Sequence, residues 1–427
     1  MCGVPKLTYH LRNLPPAVTT PVARWFDDQV LQTFASILDV PLAHLSDSAI
    51  HQLQLPIRRG GLGLRPQVTV APAAWTASTA CCTPDLLATQ TGWLPPPGSP
   101  LFTSWADSLT ALRAAADPAT LGTVLPPTAH SFVAFYAPKF SNPAAVPPRF
   151  RHLQARLTGA VEATRHLRLL STSLACARAR LLSCSGPSNS GCLVAPPRSA
   201  ALSVSDFAFR TVCKLRLGLP VTPDSECFHP ACPPSALRLD PAHFLYCPGL
   251  SHLRTQRHDR TVLAVLRLAR VLGLQTTHER RFNNVGVSTD PDSRRPDGRV
   301  LGVNGSLYFD ATLPTPSAPS HRDRSARTAR GTATAAEDSK TDKFRTWARV
   351  RGSSFFPFAI ETFGAWGRGA CRLGRRLRSM SDATLAVSAS LGPPTADVQR
   401  AFQAVSVCVQ KGNAALVAAG LSRQLAH

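Results

Sequence analysis

The sequence predicts an α/β fold: an αβββαβ module over residues 259–380, preceded by a mostly α-helical region and a small zinc-binding module. Three observations predict it. Apolar spacing switches from helical to alternating between Leu272 and Gln275. Asn304-Gly305 separates two strand-like runs, a short-range hairpin signal. Four ligand-type side chains, Cys227, Cys232, His243 and Cys247, fall in one proline-rich stretch.

Taken in order, residues 7–14 are amphipathic and stop at Pro15-Pro16, and residues 21–38 follow as a second helix. A helical pattern from the outset gives the expectation of a chain that opens in mid-domain. Gly60, Gly61 and Gly63 lack both a preceding strand and a following Lys-Ser/Thr, so they carry no nucleotide-loop signal. Residues 81–204 read as helical, proline-cut linker scaffold, with helices at 101–116 and 149–182. Residues 206–217 form a helix ending at Gly218, which opens the 205–258 zinc segment. Then come a helix at 260–272, strands at 275–282, 299–303 and 306–312, a helix at 326–350 and a strand at 355–362. The tail, 381–427, reads as two short helices, 398–409 and 414–425.

The chain of 427 residues carries 47 Lys and Arg against 25 Asp and Glu, a formal charge of +22. Such an excess, spread along the chain and rich in Arg, suits a polyphosphate partner, so nucleic acid is the expected one; arginine-favouring codon bias is the blander reading. The 12 cysteines come without a secretory leader pattern, which disfavours a disulfide framework and favours reduced thiols. No run approaches 18 uninterrupted apolar residues, so no membrane span is expected. Nothing in the pattern fixes an oligomeric state.

In the cysteine cluster, two ligand pairs joined by a short loop suit tetrahedral zinc, each pair taking one edge of the ion. Pro230, Pro233 and Pro234 make the loop one that metal ligation would have to fold. His229, His252 and His258 are alternative ligands, and buried unpaired thiols are the blander reading.

The hairpin brings two carboxylates together. With Asn304-Gly305 as a type I′ turn, Val303 faces Ser306, Arg299 faces Asp310 and Asp297 faces Thr312. Asp297, Arg299, Asp310 and Thr312 then share one face, with Asp297 and Asp310 diagonal neighbours roughly 7 Å apart. Two such carboxylates suit Mg2+, which takes one or two protein carboxylates and leaves room for phosphate and water. Lys340 falls within the apolar stripe of the following helix and needs an anion: Glu337, the carboxylates or a substrate phosphate; a snorkelling lysine is the alternative. Lys343 sits at the edge of the stripe, and Glu361 and Glu279 are further candidate ligands.

Pro296-Asp297, the hairpin, Asp310 and the αβββαβ order together resemble the restriction-endonuclease-like PD-(D/E)XK nucleases. The chain departs from that pattern at Thr312, where the family carries lysine; the resemblance implies that Lys340 or Lys343 replaces it. A wider set of motifs resembles the C-terminal endonuclease region of LINE-type (non-long-terminal-repeat) retrotransposon polyproteins: the Cys-Cys-His-Cys cluster, Arg257-His258-Asp259-Arg260, Arg294-Arg295-Pro296-Asp297, and Glu361-Thr362-Phe363-Gly364. Residues 1–80 resemble the thumb-like helical segment that follows a reverse-transcriptase palm. The likeness covers roughly residues 5–80 and 205–370.

The resemblance implies a metal-dependent endonuclease over 259–380, nicking DNA, with catalytic Asp297, Asp310, Lys340, Lys343 and Glu361. Mg2+ would sit on Asp297 and Asp310, and structural Zn2+ on the cysteine cluster. Arg257, Arg294, Arg295 and Arg299 would meet DNA; element RNA is a further partner, and the nucleus the expected compartment. Phe26-Asp27-Asp28 imitates the palm's aspartate pair without a palm around it, so no polymerase activity is expected. The rival expectation is a catalytically inactive, zinc-containing, nucleic-acid-binding retroelement remnant, motivated by Thr312.

Overall fold

A computed structural model describes residues 3–89, 98–125, 152–186, 189–224, 226–278, 295–388 and 395–426. The described chain is mostly helical, with one four-stranded mixed sheet, and divides into two units. The first comprises residues 1–56 and 63–172; the second comprises 57–62 and 173–427.

The first unit contains α1 (Gly3–Asn13), α2 (Pro16–Leu38), α3 (Asp47–Gln54), α4 (Gln67–Thr89), α5 (Pro100–Ala115), α6 (Pro118–Gly122) and α7 (Leu153–Thr172). Alanine-rich α4 is its centre, because small side chains let neighbouring helices approach on several sides. Ala71 and Ala74 pack with Leu7 and Leu11 of α1, while Ala73 and Ala77 pack with Trp105, Leu109 and Leu157. Asp27 has a structural post here: its carboxylate accepts the Gln67 and Val68 backbone N–H groups at 2.7 and 3.0 Å, capping α4. The aspartate pair is thus split between a helix cap and an exposed Asp28.

The second unit holds α8 (Ala175–Cys184), α9 (Gly191–Val194), α10 (Asp206–Leu217), α11 (Ala236–Leu239) and α12 (Ser251–Val271). Next come β1 (Gln275–His278), β2 (Gly298–Gly302), β3 (Gly305–Thr312), α13 (Arg322–Arg327), α14 (Gly331–Val350), β4 (Ser354–Ala359), α15 (Arg368–Ser388) and α16 (Thr395–Gln424). The helix expected at 149–182 is broken into α7 and α8 at Ser173-Leu174, where the division between units also falls. The glycine loop 57–62 belongs to the second unit. Buried Arg216 holds it there by donating to the carbonyls of Ile57 and Gly61, and also bonds Cys184 O.

The sheet has the order β1-β2-β3-β4, antiparallel through β3, with β4 parallel to β3 after the α14 crossover. Pro357 is accommodated because β4 lies at an edge. One sheet face carries Val300, Leu307, Phe309 and Ala311 into a core with Leu266, Leu373, Leu377, Val405 and Val409 from α12, α15 and α16. On the other face Tyr308 packs with Trp347, Ala348 and Phe355, so α14 lies there.

The hairpin register differs from the expected one by two residues. Gly302 faces Gly305, leaving Val303 and Asn304 as the loop, and Arg299 faces Tyr308. Only Gly305, at φ +112°, takes a positive φ, so the turn is not type I′ on Asn304-Gly305. Packing explains the choice. Gly298 faces Phe309, and a Cβ on Gly298 would lie 2.6 Å from that ring. The shift is even, so every side chain keeps its expected face. Continued by one residue, the observed register sets Asp297 opposite Asp310.

The expected two-helix tail is one helix, α16, and it is central. It is long and apolar enough to cross a membrane by length and composition, yet 61% of its most apolar window is buried. Its C-terminal half packs on the zinc segment: Leu416 and Val417 share a core with Phe244, Leu245 and Cys247. A Cβ on Gly420 would lie 2.7 Å from the Phe244 ring. The segments expected as three domains, 205–258, 259–380 and 381–427, therefore share one folded unit.

Candidate functional site

Asp297, at the entry to β2, and Asp310, inside β3, are 5% and 4% exposed. Two buried carboxylates this close require compensating charge, and each has a cation. Lys340 Nζ of α14 stands 2.5 Å from Asp310 Oδ2. His258 Nε2 of α12 stands 3.1 Å from Asp297 Oδ2 and 3.2 Å from the Ala311 carbonyl. The Ala311 N–H donates to Asp297 Oδ2 at 2.8 Å, which ties the first carboxylate to the strand carrying the second.

Burial raises the Asp310 pKa, and the charge of Asp297 raises it further, against the pull of Lys340 and His258. For His258, burial alone would lower the pKa, but the carboxylates of Asp297 and Asp259 raise it to about 9. Both ring nitrogens face oxygen acceptors, Nδ1 lying 3.0 Å from Asp259 Oδ1, so both donate and the ring is an imidazolium at neutral pH. The folded pKa exceeds the ordinary 6.5, so the stabilisation is complete below that pH and is lost as pH rises through about 9. Without added divalent metal, wild type should exceed His258→Gln by on the order of 1–3 kcal/mol at pH 6 in urea unfolding, the gap closing by pH 10. A pH-independent gap would refute the charged imidazole.

His258 was present in the sequence within Arg257-His258-Asp259-Arg260, but its pairing with Asp297 joins residues that only the tertiary fold brings together. Other candidates are placed elsewhere. Lys343 is exposed, its ammonium 4.9 Å from the Phe344 ring centroid. Glu361 is 1% exposed, with Oε1 accepting the Ala333 N–H at 3.0 Å: it caps α14 and is not a metal ligand in this arrangement. Glu337 accepts N–H groups from Gly369 and Ala370 at 2.7 and 3.0 Å, capping α15, so Lys340 turns to Asp310 instead.

Arg257, expected at DNA, is 4% exposed and donates to Asn413 Oδ1 at 2.7 Å; it is an interior strut between α12 and α16. Arg299 is half-buried, 5.4 Å from the Tyr308 ring centroid and bonded to Ser306 Oγ at 3.4 Å. Arg295 is exposed beside Asp297. Arg294 and Glu279 lie outside the described residues.

The second constellation is the cysteine cluster. The Cys227, Cys232 and Cys247 sulfurs and one ring nitrogen of His243 all lie within 4.8 Å of one another. Cys247 Sγ is 3.6 Å from Cys227 Sγ and 3.8 Å from Cys232 Sγ. A tetrahedron with bonds of about 2.3 Å has edges of about 3.8 Å, so the thiols stand at ligand separations. His243 Nε2 is buried without a hydrogen-bond partner, as a nitrogen awaiting a metal would be. Burial lowers the His243 pKa and keeps the ring neutral, its ligating form; burial and neighbouring thiols push Cys247 up to about 12, a cost that metal binding reverses. The alternatives are otherwise placed: His258 is on Asp297, and His229 Nδ1 accepts the Ala231 N–H at 3.3 Å.

Local structure holds the cluster. The Cys247 N–H donates to the His243 carbonyl, setting both ligands on one turn, and Cys232 closes a turn on the His229 carbonyl. With four protein ligands the site is closed, which suits a structural role. Among the described residues it is the one group of three or more such side chains with converging donor atoms; the acidic site supplies two carboxylates.

No family model matches the chain, and no curated protein matches it significantly. The functional reading therefore rests on the chemistry of the two sites.

Proposed function

We propose that the second unit is a metal-dependent DNA endonuclease of the restriction-enzyme-like kind, from a LINE-type retrotransposon protein acting in the nucleus. The observation that carries this reading is the juxtaposition of Asp297 and Asp310 with Lys340 on Asp310. A lysine from the next helix occupies the place that Thr312 leaves without a cation. The donor set suits Mg2+: two hard oxygen ligands whose mutual repulsion already raises the Asp310 pKa. Held by Asp297 and Asp310, Mg2+ would activate water and offset charge on the scissile phosphate.

The chain's own groups do the rest. His258 and the Ala311 N–H fix the Asp297 carboxylate, while Lys340 is placed to donate to a phosphate oxygen once its partner's charge is shared. The cysteine cluster, holding zinc, would secure the C-terminal half of α16, the helix that also packs on α12.

In a supercoiled-plasmid nicking assay with Mg2+, Lys340→Ala should lose about 10²-fold in rate, with Lys343→Ala within about threefold of wild type. Equal losses would remove Lys340 from the site. The inactive-remnant reading is favoured by one observation: each carboxylate already has its own cation. It holds if wild type binds DNA and does not nick.

A further inference from the structure

A cavity of about 1000 Å³ in the second unit shares no residue with either site above. Six arginines line it: Arg58, Arg330, Arg368, Arg372, Arg375 and Arg378. No Asp or Glu stands among its described lining residues. Guanidinium groups gathered around a concave surface repel one another, and the field they make is focused by its low-dielectric walls.

The arrangement is built by the fold. Arg368, Arg372, Arg375 and Arg378 recur at three- and four-residue spacing and are exposed, while Leu373 and Leu377 anchor the opposite side of α15 in the sheet core. Ten residues of helix spread these charges over about 15 Å. Arg330 is held at φ +63°, a left-handed backbone unfavourable for a side chain of this size, at the N-cap of α14. Glu337, whose charge reaches Arg372, is committed to backbone N–H groups at the start of α15.

The floor is apolar, with Val194, Ala370 and Phe402 beneath the charged rim. The Arg378 guanidinium lies 4.8 Å from the half-buried Phe402 ring centroid. A basic rim over a partly exposed aromatic suits a strand whose phosphates stay at the edge while a base turns inward to stack. A duplex keeps its bases paired inside and presents only phosphates, leaving the apolar floor unused.

We propose that this cavity binds single-stranded nucleic acid, with the α15 arginines along the phosphodiester backbone and Phe402 against a base. The inference does not depend on cleavage at Asp297 and Asp310, and its test is read without Mg2+. Anisotropy of labelled oligothymidylate is measured with the full chain, against a duplex of equal length and with tripolyphosphate as competitor. Arg372→Glu/Arg375→Glu should weaken strand binding at least about 30-fold and lower the salt slope by about 1.4, as expected for two lost contacts.

Arg260→Glu/Arg267→Glu makes the same charge change on exposed α12 positions and should stay within about threefold of wild type. Phe402→Leu should weaken strand binding at least about fivefold without changing the salt slope. Arg372→Gln/Arg375→Gln gives the same reading if the glutamate pair does not fold. The proposal is overturned if both arginine pairs weaken binding alike, if the duplex binds as tightly as the strand, or if tripolyphosphate displaces the strand at equal phosphate concentration.

Discussion

Cys247→Ser should retain less than about a tenth of the zinc bound by wild type and melt at a markedly lower temperature. Cys247 is fully buried and takes part in both close sulfur contacts, so its loss opens two edges of the tetrahedron together. Structural zinc sites of this kind bind with apparent free energies of about 10–16 kcal/mol, most of it expressed as folding. The consequence should spread, because Phe244, Leu245 and Cys247 share a core with Leu416 and Val417 of α16. Arg423 of α16 also donates to the Gly249 carbonyl at 2.5 Å, and Gln424 to the Glu226 carbonyl at 2.6 Å. Removing the metal should therefore expose the end of α16 to proteolysis. Cys184→Ser, a buried thiol outside the cluster, should keep full zinc. Equal zinc in wild type and Cys247→Ser, measured by mass spectrometry, would sink the assignment.

The extent to which the fold was legible depended on whether the deciding interaction was local. The Cys-Cys-His-Cys spacing is local, and all four ligands converge as read. The order helix, three strands, helix, strand follows from apolar periodicity and is observed. The hairpin faces were legible because they depend only on parity, whereas the register turned on Phe309 needing the bare face of Gly298, a cross-strand fit that turn chemistry does not encode.

Position 410–413 shows the opposite failure. Gln410-Lys411-Gly412-Asn413 reads as a helix break, but a Cβ at Gly412 would lie 2.4 Å from the Arg257 side chain, and Asn413 accepts that guanidinium. The residues that weaken the helix locally are the ones that let Arg257 be buried. The same long-range contact turned an apparent DNA-facing arginine into an interior one. Glu361 was misread for a related reason: an acid in an apolar strand looks catalytic until the N-terminus it caps is visible. The α15 arginines went unnoticed as a site because their partners in the cavity come from segments as distant as Arg58 and Phe402.

Asp310→Asn should abolish Mg2+-dependent nicking, by at least about 10³-fold, while leaving the melting temperature unchanged or higher. The two halves of this expectation come from one fact. The Asp310 pKa is raised, first by burial and then by the charge of Asp297, so the ionised carboxylate opposes folding at neutral pH even with Lys340 beside it. For a carboxylate the sign is clear: a raised folded pKa means that the ionised group costs stability above that pKa, and the cost disappears as pH falls through it. Asparagine keeps the shape and removes the charge. Lys340 is 31% exposed and can turn its ammonium toward water when its partner is neutral. A group kept where it destabilises the fold is the mark of a site shaped by function. Parallel melting and nicking curves for wild type and Asp310→Asn separate the readings: a purely structural ion pair predicts a lower melting temperature and no change in nicking, whereas a catalytic acid predicts the reverse.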